Sequence, residues 1–277
     1  MEQHRSDSQA RRATSPPPGD RAHAIERRGA AGRRYPRGDR ARHHGRRRDL
    51  AAGGVAHRPA EPRRHPQPPW SRVERWTGAE YSVAVEVDDL HQVVGALGAV
   101  HLVGWSYGAL IGLEAALGSE RIRSVTAYEP VSRPFASEAV APIRAAVAAG
   151  DLDRAVALVN TDVSGFSDDY VAHLRRSPAW AVLRPLAQPM GEELAAIDAF
   201  EPSLDGYCRL MVPVTLILGA RNEGKAPYGT AFAPFASALP QARLTRLTGQ
   251  GHLAHVEAPA DLAEAISAAV RHAEAVG

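Results

Sequence analysis

The sequence predicts an α/β fold: a parallel sheet with helices on both faces, interrupted by a purely helical insertion. Three observations predict it. Short apolar runs alternate with amphipathic helical patterns over the C-terminal two hundred residues, as in sheets built from βαβ units. One of those runs, Val100, Leu102 and Val103, meets Gly-Trp-Ser-Tyr-Gly and passes at once into a helical pattern of Leu110, Leu113 and Leu117. Residues 131–211 contain several helical patterns and no clear strand.

Residues 1–75 stand apart from this scheme. They hold 19 Arg against 8 acidic residues, nine Pro and six His, with Pro16-Pro17-Pro18 and Arg46-Arg47-Arg48 among them. Their aliphatic content is Met1, Ile25, Leu50, Val55 and Val73. Such a composition buries too little apolar surface to offset chain entropy, so disorder is the default expectation. Three origins compete. A basic arm could neutralise nucleic-acid phosphates, but only Tyr35, Trp70 and the adjoining Trp76 could stack on bases. A transit peptide needs amphipathic helicity, which the prolines forbid. The third origin is GC-rich DNA read out of frame, which yields Arg, Pro, Gly, Ala and His without pattern.

The texture changes near Trp76, and a domain over residues 76–277 follows. Residues 81–98 place Val87, Leu90, Val94 and Leu97 on one helical face, with Asp88 and Asp89 outside. The apolar run at Val100 is the first strand, and residues 123–128 form a second, closed by Glu129-Pro130. Within the insertion, helices are expected over 142–149, 152–159, 170–174, 180–186 and 192–200. Pro142 suits a first helical turn, and Asp151 and Ser167 suit N-caps. Residues 214–218 give a third strand, about 229–239 a helix, 243–247 a fourth strand, and about 261–273 a closing helix.

Bulk properties narrow the function classes. Residues 76–277 carry 14 basic and 23 acidic residues, so the overall +2 sums two unlike halves. No apolar run reaches the length of a membrane span or signal segment. Cys208 is the only cysteine. An internal disulfide and paired-cysteine zinc sites are therefore excluded, and a reducing, cytoplasmic compartment is expected. The sequence is silent on oligomeric state.

Gly-Trp-Ser-Tyr-Gly between a strand and a helix is a nucleophile elbow, with Ser106 thrust out of a strained turn. Gly104 and Gly108 are expected to leave the room that turn needs. Four pieces in order, GWSYG (104–108), AYEP (127–130), PVTLILG (213–219) and GQGHLAHVEAP (249–259), make residues 81–277 resemble the α/β-hydrolase family, particularly small bacterial esterase-like and cofactor-free members. The resemblance implies a helical cap at 131–211 and a serine nucleophile, Ser106. It also implies a base, His252, on the loop after the last strand, and an oxyanion hole using the Tyr107 backbone N–H. Trp105 and Tyr107 are expected to line the substrate pocket with the cap. Neither cofactor nor metal is expected; a His252/His255 metal pair lacks further ligand spacing, and packing or support of the site residues is the expected role of His255.

The triad acid has three candidates. The family usually carries Asp shortly after the strand that ends here at Gly219, where this chain has Asn222 and then Glu223. An Asn would orient the imidazole without stabilising its cation, and an Asp-to-Asn change in a serine-protease triad costs roughly 10⁴ in rate. Some branches place the acid after the preceding strand, here at Glu129, 23 residues beyond the serine. Glu129 is the first choice and Glu223 the second. The competing reading of Glu129 is a carboxylate facing solvent or Arg133.

The function implied is serine-nucleophile hydrolysis of a small ester, thioester, lactone or similar carbonyl substrate through an acyl-enzyme. The alternatives are a non-hydrolytic enzyme on this scaffold, peroxidase-like or lyase, and a non-enzymatic protein whose basic arm binds nucleic acid. The family's first strands and second oxyanion donor belong before residue 76, where no apolar strand with a His-Gly loop is found. That mismatch favours the out-of-frame reading of residues 1–75. It also leads to the expectation that the chain as written expresses poorly or has impaired activity.

Overall fold

The computed structural model describes residues 81–276, all within one unit of the chain, Pro62–Gly277. Four parallel strands form the sheet in the order β1 (Val100–Trp105), β2 (Ile122–Tyr128), β3 (Val214–Gly219) and β4 (Arg243–Leu247). Parallel neighbours need crossovers, and helices supply them. Ahead of β1 comes α1 (Val83–Leu97), and α2 (Tyr107–Leu117) joins β1 to β2. The step from β3 to β4 uses α9 (Tyr228–Ala238), and α11 (Pro259–Val276) follows the short α10 (Ala254–Glu257).

Strand alternation sorts the core onto two faces. Val214, Leu216 and Leu218 of β3, with Val125 and Ala127 of β2, pack with Leu110 and Leu113 of α2 and with Phe232 and Phe235 of α9. Tyr128, Ile217 and Leu247 point the other way and meet Leu262, Ala265 and Ile266 of α11. Burial on both faces is why β3 reads as an unbroken apolar run rather than an alternating one. Among the described residues β1 pairs only with β2, and Val103 of that edge strand is 48 % exposed.

The insertion between β2 and β3 is helical, as expected. It runs α3 (Ser137–Ala148), α4 (Leu152–Leu158), a π-turn (Val159–Val163), α5 (Asp168–Arg175), α6 (Ala179–Leu186), α7 (Met190–Ala199) and α8 (Leu204–Tyr207). It has its own apolar cluster, with Phe135, Ile143, Val156, Trp180, Leu194 and Ile197, and this cluster also takes in Tyr228 and Ala231 of α9. The caps fall where expected: Asp151 accepts from Arg154 N, and Ser167 accepts from Tyr170 N.

Some local expectations are corrected. Pro142 is the sixth residue of α3, not part of its first turn; its ring faces solvent, so the broken backbone bond can be replaced by water. Asp89 is buried rather than outside, and it accepts from Gln92; a buried carboxylate is tolerable when hydrogen-bonded. Leu97 closes α1 just before the Gly98 turn and is 71 % exposed, so the core stripe stops at Val94. The four-residue helices α8 and α10 were not foreseen, since one turn leaves no periodicity to read.

Candidate active site

Ser106 sits between β1 and α2 with φ 56° and ψ −121°. A non-glycine residue held there costs of order 1–3 kcal/mol. The burial of Leu110 and Leu113, both wholly inaccessible and each contributing about 1.5–3 kcal/mol, holds α2 on the sheet against that strain. The turn is pinned further by Ser106 N–H donating to Tyr128 O at 2.9 Å, and by Ala109 and Leu110 N–H donating to Ser106 O. Gly104 is required sterically: a Cβ there would lie 2.5 Å from Gly108 O and 2.6 Å from Ala109 Cα. Gly108 is not, since a Cβ there would meet nothing within 4 Å. The expectation for that glycine is corrected: its carbonyl packs against Gly104, but the residue is exposed and its Cβ position opens onto free space.

Glu129 follows β2 directly, with φ 44°, and is fully buried. Its Oε2 lies 2.6 Å from His252 Nδ1. Its Oε1 accepts from the Gly219 N–H at 2.8 Å, and the Asn222 side-chain amide donates to both oxygens at 3.0 Å. Glu129 therefore faces neither solvent nor Arg133, which pairs with Glu201 at 3.0 Å. Glu223, the second candidate acid, is on the surface 2.8 Å from Arg246. Asn222 takes neither the place of an acid nor a contact with the imidazole; it is a donor to the carboxylate.

The register explains why a residue after β2 can take this position. Tyr128 pairs with Ile217, so Glu129 emerges beside the end of β3, and its own N–H donates to Ile217 O at 2.9 Å. Gly219 admits the histidine loop: a Cβ there would lie 2.8 Å from both Gln250 O and Gly251 O.

His252 is buried. Burial pushes its imidazole below the ordinary histidine range, the Glu129 hydrogen bond and charge oppose this, and His255 adds a smaller downward push. Trp105 Nε1–H donates to His252 O at 2.9 Å, and its ring lies 4.7 Å from the His252 ring and 4.4 Å from that of His255. Tyr128 braces the same loop through a hydrogen bond from its hydroxyl to Gly251 O. Trp105 was expected to line a pocket with the cap. It instead borders an apolar cavity of about 220 Å³ between the sheet and α11, with Tyr128, His255 and Leu262. As a strand residue next to Ser106 it points to the α11 face of the sheet.

Tyr107 does touch the cap cluster. As the first residue of α2 its N–H has no intrahelical acceptor and is available to an oxyanion. Its hydroxyl accepts from Tyr81 at 3.2 Å, and burial pushes its phenol upward. Among the described residues Ser106 Oγ and His252 share no hydrogen bond; contacts of this kind commonly tighten only when substrate aligns them. The same residues contain no group of three His, Cys, Asp or Glu that could hold a metal ion, and no helix long and apolar enough to cross a membrane.

Sequence reasoning missed Tyr228. Its ring stacks on His252 with centroids 3.5 Å apart and planes 9° apart, and its hydroxyl bonds Ser164 Oγ at 3.1 Å. Nothing in the linear pattern around Tyr228 signals that contact.

The sequence model of the alpha/beta hydrolase family matches residues 18–265. The chain belongs to the alpha/beta hydrolase family. The match starts well upstream of the first described helix and so enters the Arg/Pro-rich segment; the early strands and the second oxyanion donor expected there lie outside the described residues. Solved structures share the fold. An alpha/beta hydrolase from Sphaerobacter thermophilus DSM 20745 is 24% identical, with a TM-score of 0.56, over 70% of this chain and 76% of that one. The enol-lactonase from Burkholderia xenovorans LB400 is 19% identical, with a TM-score of 0.55, over 69% and 74%. A hydrolase from Pseudomonas aeruginosa PA01 is 22% identical, with a TM-score of 0.53, over 70% and 72%. None of the curated proteins compared with this chain matches it.

Proposed function

We propose that this family member is a serine hydrolase in which Ser106 is the nucleophile, His252 the base and Glu129 the acid, acting on a small ester, thioester or lactone. The observation that carries the reading is the buried 2.6 Å contact between Glu129 and His252 behind a serine held in a strained elbow.

The chemistry follows from proton positions. A carboxylate accepts only, so His252 donates Nδ1–H to Glu129 Oε2 and leaves Nε2 free to take the Ser106 proton during attack. The resulting imidazolium lies against the Glu129 carboxylate, and the Tyr107 N–H meets the oxyanion of the tetrahedral intermediate. His252 then protonates the leaving group, giving the acyl-enzyme, and water attacks that ester by the same route in reverse. The shared fold of the enol-lactonase makes lactones a class to assay beside linear esters.

Treating the full chain with a fluorophosphonate, mapping the label by peptide mass spectrometry and following p-nitrophenyl acetate turnover tests the reading. Ser106 is expected to carry the label, and Ser106→Ala to lose both label and turnover. Turnover retained by Ser106→Ala would overturn it.

A further inference from the structure

Tyr228 is the feature of the site that the triad does not use. It is buried at the start of α9, against Phe135 of the cap cluster at 5.9 Å. Burial pushes its phenol up to about 12, so at neutral pH it is an uncharged ring. His252 meets Glu129 along its Nδ1 edge, the Trp105 and Tyr128 rings at 4.7 and 6.3 Å, and the charge influence of His255. Of the rings around it Tyr228 lies nearest, nearly parallel with centroids 3.5 Å apart. An aromatic face carries partial negative charge and attracts a cation set over it, by more where water is excluded. The imidazole becomes such a cation only when it has taken the serine proton.

We propose that Tyr228 is a positioning residue whose ring face stabilises the His252 imidazolium and whose hydroxyl ties that imidazole to the cap through Ser164. This rests on the hydrolase reading for its catalytic meaning, although the effect on His252 is measurable without turnover. Ser164 directly follows the π-turn Val159–Val163, and such turns are frequent at functional sites. The tie makes the cap's position and the orientation of the base parts of one contact.

The test is a pH titration of His252 by NMR in the full chain with ¹³C-labelled histidine, assigned with His252→Gln, for the parent, Tyr228→Leu, Tyr228→Met and Tyr228→Phe. Two non-aromatic variants are included in case one fails to fold. Loss of the ring face is expected to lower the His252 pKa by roughly half a unit to one and a half units, and to cut kcat/KM about three- to thirtyfold. Tyr228→Phe is expected to keep the parent titration and kcat while raising KM, because only the Ser164 tie is lost. An unmoved or raised His252 pKa in both non-aromatic variants would overturn the proposal, as would an equal drop in Tyr228→Phe. Absence of fluorophosphonate label on Ser106 in the parent would overturn the hydrolase reading instead, leaving the titration to decide the ring's effect.

Discussion

Replacing Glu129 by Gln exchanges one carboxylate oxygen for an amide group of nearly the same size, and the surroundings dictate how the amide must sit. The Asn222 amide reaches both oxygens, but the Gly219 N–H is a fixed backbone donor to Oε1 whereas His252, the other partner of Oε2, can change tautomer, so the glutamine oxygen belongs at Oε1. Its NH₂ then occupies the Oε2 position, 2.6 Å from His252 Nδ1. A donor at that position forces Nδ1 to accept, which moves the imidazole proton to Nε2 and removes the lone pair that should deprotonate Ser106. The wrong tautomer in a serine-protease triad costs roughly 10⁴ in kcat, or about 5 kcal/mol in the barrier. A loss of that order in kcat/KM is expected for Glu129→Gln, with KM nearly unchanged. Stopped-flow or steady-state hydrolysis of p-nitrophenyl acetate by the full chain reads it, with thermal unfolding to show that the fold persists. Activity within tenfold of the parent would refute the assignment and place the acid elsewhere.

Three further outcomes are expected. Asn222→Ala leaves a buried carboxylate short of a donor to both oxygens; hydrogen bonds to charged groups are worth about 1.5–3 kcal/mol, so chemical denaturation should show a loss of that order, and Asn222→Asp a larger one because it sets two carboxylates face to face. If Asn222→Asp is as stable as the parent, the clamp is misread. Gly104→Ala drives a Cβ into Gly108 O and should cost about 1–3 kcal/mol with loss of Ser106 labelling, whereas Gly108→Ala, which meets no such obstacle, should cost less; equal effects would contradict the elbow geometry. The acid limb of kcat/KM should fall below the ordinary histidine value near 6.5, because burial disfavours the His252 cation. Activity is then complete once His252 is neutral and lost as pH falls through the depressed value. The stability this imidazole contributes follows the same sign, present above the unfolded value and lost below the folded one.

Legibility in the sequence followed the range of the interaction. The elbow, the strands and the capping residues Asp151 and Ser167 are local, and their expected places lie within a residue or two of those found. Glu129 could be favoured from its place after β2, but its separation from Glu223 and Asn222 required the pairing of Tyr128 with Ile217, which no local pattern encodes. Asn222 looked like a missing acid because the chain shows residue types, not which atom donates. Tyr228 was unreadable for a related reason: a tyrosine heading an apolar helix is ordinary core until the loop carrying His252 folds onto it. Helix starts in the cap were misplaced where Pro142 drew attention to itself, since a solvent-facing proline can sit beyond the first turn.

The register of β1 with β2 pairs Trp105 with Tyr128, so Ser106 and Glu129 are the next residues on two neighbouring strands, and both have positive φ. The proposed nucleophile and acid are thus indexed to each other by one backbone ladder, while the base alone travels on a loop. Changes of length or composition across residues 220–227, the stretch where the family ordinarily anchors its acid, leave that two-strand index intact. In this chain such changes would reach the proposed triad through the Asn222 contacts with Glu129, leaving the paired positions of Ser106 and Glu129 in place.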